Sequence, residues 1–144
     1  MFKALLLSLM ATLTPLDKTL GDYPKNLPEP DIQVEEEQDS IRFWITLEPK
    51  CLIQTYSTNE GVLATEITVL DPEETRPSNI VDLVTKLEGI EEESQTQTFL
   101  GMDEDACRMT TSTNTGHFIL WERNPKTGAI NKVTILYHKE STKL

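Results

Sequence analysis

Residues Ile80-Val81-Asp82-Leu83-Val84-Thr85-Lys86-Leu87-Glu88-Gly89-Ile90 decide between two architectures. Ile80, Leu83, Val84 and Leu87 recur at helical spacing with Gly89 as a stop, whereas Val81, Leu83, Thr85 and Leu87 fit the period of a strand equally well. As a strand, the segment completes a set of eight, the number at which an antiparallel sheet closes into a small barrel with room for one ligand. As a helix, it leaves a seven-stranded α+β sandwich. Helix propensity favours the second reading and the strand count the first, and the eight-stranded antiparallel barrel is taken as the leading expectation with the sandwich as its alternative.

On the amino-terminal side, Ile41 to Leu47 alternates Ile41, Phe43, Ile45 and Leu47 with Arg42, Trp44 and Thr46, and Glu48-Pro49 ends the run. Cys51 to Ser57 follows, and Thr58-Asn59-Glu60-Gly61 leads into Val62 to Leu70 as a hairpin. Asp71 to Pro77 is a loop with two prolines. On the carboxyl-terminal side the candidates are Ser94 to Leu100, Cys107 to Thr113, His117 to Arg123 and Ile130 to His138, with turns at 114–116 and 124–128. Short strands at this spacing indicate an all-β or β-rich domain.

Further out, Asp22 to Gln38 carries Pro24, Pro28 and Pro30 and then Glu35-Glu36-Glu37, a composition that resists regular structure. It is expected to be an extended arm in front of a single domain spanning 39–144. The first residues, 1–21, place Lys3 before the uncharged apolar run Ala4 to Leu13, which is about ten residues, well short of the roughly 20 that span a bilayer. That pattern is a secretory signal peptide, with cleavage expected before Asp22, and it places the mature protein outside the cell.

The chain has 24 acidic and 13 basic residues and a net charge of −11. The leader holds Lys3 and Lys18 against Asp17, so the remainder is one charge more negative. Nucleic acid and anionic membrane are therefore poor partners, and a cationic ligand or a basic protein surface is favoured. In an oxidising compartment the only two cysteines, Cys51 and Cys107, are expected to pair, closing a loop worth about 4 kcal/mol in the chain-entropy model.

Chemistry is sparse. There is no nucleophile elbow, phosphate loop, zinc spacing or calcium loop, so no metal or other cofactor is expected. His117 and His138 sit in separate strands and read as surface or strand-end residues; Glu91-Glu92-Glu93 and Asp103-Glu104-Asp105 read as solvated turns. The pattern points to binding and not to catalysis. Trp121 shares a strand face with Ile119, and Tyr137 shares one with Val133 and Ile135, so these side chains are candidates for an interior site. Glu66 lies on the side of its strand that carries Val62, Ala64 and Leu70. Either the opposite side, with Leu63, Ile67 and Val69, is the core face and Glu66 is solvated, or Glu66 is an interior anion awaiting a cation.

Three stretches resemble the salivary lipocalins of ticks, the group that includes the histamine-binding proteins. They are Pro49-Lys50-Cys51-Leu52-Ile53 with Gly61 and Ala64-Thr65-Glu66-Ile67; Thr96-Gln97-Thr98-Phe99 with Ala106-Cys107-Arg108-Met109; and Gly116-His117-Phe118-Ile119-Leu120-Trp121-Glu122. The resemblance implies a secreted monomeric barrel that sequesters host amines or lipid mediators and so modulates immunity. Its pocket would use Trp121 and, by a looser match, Glu66; Phe43, Tyr137 and Ile119 are taken as further candidate ligand contacts. Family members have a longer carboxyl-terminal extension with additional cysteines, which the chain ending at Leu144 lacks. That departure keeps open a different class of function: a secreted module that binds a host protein without a cavity.

Overall fold

The computed structural model describes residues 24–59, 61–89, 97–113 and 116–137. The signal-peptide reading, His138 and the Glu91–Glu93 run lie outside them. Eight strands form one antiparallel sheet: β1 (Ile32–Glu36), β2 (Asp39–Leu47), β3 (Lys50–Thr58), β4 (Gly61–Val69), β5 (Gln97–Met102), β6 (Arg108–Thr113), β7 (Phe118–Arg123) and β8 (Ile130–Leu136). One helix, α1 (Pro77–Glu88), follows a short 3-10 turn at Pro72–Glu74. No helix among the described residues is long and apolar enough to cross a membrane.

Residues 80–88 are therefore helical, not the expected strand. Pro77 occupies the first turn, where a missing N–H costs nothing, and Gly89 ends the helix at φ 68° with its N–H returning to Thr85 and Lys86. Ile80, Val84 and Leu87 form the stripe that helical spacing demands, and all three are buried. The eighth strand comes instead from the acidic arm. Ile32–Glu36 pairs along its length with β2, because backbone hydrogen bonding tolerates the polar and charged side chains of an edge strand. The residues before it are also tied down: Lys25 N–H donates to Leu87 O, Asn26 Nδ2 donates to Lys86 O at 2.8 Å, and Trp44 Nε1 donates to Pro28 O at 2.8 Å. Part of this arm thus serves as a cap for the last carbonyls of α1.

The sheet order is β1-β2-β3-β4-β8-β7-β6-β5, so two four-stranded halves meet where β4 pairs with β8. An up-and-down barrel would pair sequence neighbours all the way round; here β4 meets β8 instead of β5, and β1 and β5 are the two edges of the described sheet. The helix packs on one face, where Trp44, Ile53, Ile67, Ile119, Trp121, Val133 and Ile135 meet Ile80, Val84 and Leu87. A smaller apolar cluster, Ile41, Tyr56, Leu63 and Ala64 with Phe43 and Leu136 against it, includes residues of the opposite face.

The expected disulfide does not form: Cys51 and Cys107 are both free thiols. Cys51 is on β3 within the helix-side core, whereas Cys107 precedes β6, so β4, β8 and β7 stand between the two strands. Strands are spaced roughly 4.8 Å apart, and a disulfide needs Cα atoms within about 7 Å. Burial pushes the Cys51 thiol above its ordinary range, which keeps it protonated and unreactive.

Candidate functional site

The registers place Trp44, Ile53, Ile67, Val133, Trp121 and Met109 side by side across six strands, all in one row on the helix-covered face. Antiparallel partners point the same way, so an apolar residue at each position builds a continuous floor. Near one end of that floor, beside the amino-terminal turn of α1, an apolar cleft of about 240 Å³ is lined by Pro77, Val81, Met109, Trp121, Arg123 and Ile130. Trp121 is almost fully buried, and its Nε1 donates to Thr111 Oγ1 at 2.9 Å. That bond satisfies the one polar atom of the indole and leaves its ring as an apolar wall. Arg123 supplies the only charge of the lining; its Nε donates to Ala106 O at 3.0 Å.

Of the residues read from sequence as ligand contacts, Trp121, Ile119 and Tyr137 share this covered face. Glu66 and Phe43 do not join them. Gln54 pairs with both Phe43 and Glu66, which puts the two on the face away from the helix. There the Glu66 carboxylate lies 3.6 Å from Lys132 Nζ. Of the two readings of Glu66, the arrangement matches the one in which Ile67 and Val69 face the core and Glu66 faces out. Leu63 departs from that reading: next to a bulge between Tyr56 and Ser57, it packs with Ile41, Tyr56 and Ala64. Burial, and secondarily the Glu66 charge, raise the Tyr56 phenol well above its usual range.

The far end of the covered face is polar. His117 Nδ1 and Glu88 Oε1 are 2.7 Å apart with both side chains 1% exposed. The His117 ring meets Tyr137 edge-on, with centroids 4.8 Å apart and planes at 86°, and the Tyr137 hydroxyl is 2.6 Å from Thr65 Oγ1. His117, directly before β7, is at a strand end as expected from sequence but is buried and not a surface residue. The reason is its register, two residues from Ile119 on the same face, combined with a carboxylate that α1 delivers above it. Among the described residues no group of three or more metal-ligating side chains gathers here or elsewhere.

Sequence reasoning missed Arg123 and Met109 at the cleft and Glu88 at the polar end. A signal existed for Glu88: it follows Leu87 and lies four residues after Val84, so a carboxylate continues the apolar stripe of α1 and needs a buried partner. No comparable signal marks Arg123, whose place at the cleft depends on where Pro77 and Ile130 fall in space. No protein-family model matches the chain, and neither a curated protein nor a solved structure matches it.

Proposed function

We propose that the protein is a secreted binding protein that holds a small apolar molecule with an anionic end in the cleft beside Trp121. The observation that carries this reading is the lining: an indole face, Met109, Val81 and Ile130 offer apolar contact, and Arg123 is the single charge. Ligand sites combine a largely apolar wall with a few polar groups that fix orientation. At about 240 Å³ the cleft is small, suited to a short acyl chain whose tail lies against the indole and whose anionic end meets Arg123. Of the amine and lipid alternatives implied by the resemblance to tick salivary lipocalins, the lining supports the lipid one, since it contains no carboxylate. The reading rests on this cleft, since the strand order, with β4 beside β8, is not that of an up-and-down barrel.

The test is a fluorescence titration of the Trp44→Phe protein, in which Trp121 is the remaining tryptophan, with octanoate, histamine and serotonin. Octanoate is expected to quench saturably and the amines to have no effect. Arg123→Gln should weaken octanoate about tenfold or more, since hydrogen bonds to charged groups contribute roughly 1.5–3 kcal/mol. Saturable quenching by an amine alone, or by no probe, overturns the proposal.

A second reading rests on β5, where Phe99, Leu100 and Met102 are 58%, 50% and 44% exposed on an edge of the described sheet. Such an edge suits addition of an extended segment from a host protein. A partner bound this way would protect the β5 amides from exchange and leave Trp121 emission unchanged.

A further inference from the structure

A second cleft, of about 270 Å³, opens between the β1–β2 turn and the β3–β4 turn, with Ser40, Arg42, Ser57 and Val62 inside and Glu35, Glu37 and Asp39 around it. Two buried polar atoms here have no hydrogen-bond partner: Arg42 Nε and Ser57 Oγ. Ser57 as a whole is 8% exposed. Arg42 also makes no ion pair among the described residues, although three carboxylates surround the cleft; Glu35 is engaged by the Gln33 side-chain amide instead. A buried donor without an acceptor costs on the order of 1–3 kcal/mol, so two such groups in one cleft call for acceptors that the protein itself does not supply.

The chemistry of the two parts defines an occupant that would supply them. A guanidinium presents its Nε and one terminal nitrogen as a parallel pair of donors that matches a carboxylate, and a serine hydroxyl alongside adds a third donor. A simple anion would have to pass Glu35, Glu37 and Asp39, and like charge opposes it. A molecule with an ammonium group adjoining its carboxylate satisfies both parts: the carboxylate turns inward to Arg42 and Ser57, the ammonium outward to the acidic residues. We propose that this cleft is a binding site for a small zwitterion of the α-amino-acid class. It is a different site from the Trp121 cleft and does not depend on the function proposed there.

The experiment is calorimetric titration of the full-length secreted protein with glycine, L-serine, acetate and ethylamine, with amide chemical shifts recorded in parallel. L-serine and glycine are expected to bind with shifts at Ser40, Arg42 and Ser57 and with no change in Trp121 emission, while acetate and ethylamine do not bind. Arg42→Lys, which keeps the charge and loses the paired donors, should weaken L-serine at least tenfold. Should Arg42→Lys unfold, Ser57→Ala and the surface change Asp39→Asn carry the same test, each with an expected loss of at least threefold at an unchanged melting temperature. Absence of saturable amino-acid binding would mean that ordered water satisfies the two orphan atoms, and the proposal falls. It falls equally if acetate binds as well as L-serine, or if the variants bind as the parent does.

Discussion

Two adjacent rows cross the helix-covered face, and they differ in kind. The row through Trp121 reads Trp44, Ile53, Ile67, Val133, Trp121, Met109; the row two residues along reads Arg42, Thr55, Thr65, Ile135, Ile119, Thr111. The first is apolar throughout, whereas the second is polar at four of six positions, and beyond it lie the His117–Glu88 pair and the orphan Ser57 Oγ. The two strand partners of Ile53 and Thr55 thus sit in different solvents although they are neighbours in the chain. At the apolar end stability comes from area removed from water, which is not directional. At the polar end each group must find its partner, and a lost partner costs more than the contact contributes.

The largest expected difference follows from that asymmetry. His117→Ala leaves the Glu88 carboxylate buried without its partner and should cost about 3–5 kcal/mol by chemical denaturation, whereas the double change His117→Phe with Glu88→Leu should recover most of it. If the double variant is as unstable as the single, the polar end is not governed by pairing. At the apolar end, Trp121→Phe shrinks the ring and removes the Nε1 bond to Thr111, and about 2 kcal/mol is expected, with no second-site change on α1 restoring it. A smaller effect is expected at the junction of helix and polar end. Gly89→Ala puts a Cβ at φ 68°, 2.8 Å from Lys25 Cγ, and should cost about 1–2 kcal/mol, visible as faster amide exchange at the end of α1. An equal loss at its first turn would show that the helix opens as a unit.

Much of this was legible in the sequence. The seven strands β2 to β8 appear close to where alternation and turn residues put them, β5 lying two to three residues later than expected. The β1 strand was not legible: Ile32-Gln33-Val34-Glu35-Glu36 has the composition of a solvated arm, and only the exposed edge of β2 gives it a partner. The helix was half legible, since Val81 and Leu83 fit a strand pattern and only Pro77 and Gly89 together settle the matter. For the candidate site, Trp121, Ile119 and Tyr137 followed from period two; for Glu66 period two left both faces open, and it lies with Phe43 on the other side of the sheet. The disulfide expectation failed because an even cysteine count says nothing about the three strands that separate the pair.

The seam between β4 and β8 also determines how the chain must fold. Within each half every described strand pairs with its sequence neighbour, so hairpins can form from contacts close along the chain. The seam joins residues such as Thr65 and Tyr137, 72 positions apart, and loop closure has to precede any gain from it. Until β8 arrives, the inner edge of the first half is β4, with Val62, Ile67 and Val69 uncovered by their later partners. An elongating chain therefore carries an open, apolar strand edge until β8 is made, and the arrival of β8 is the event that removes this pairing site from neighbouring molecules.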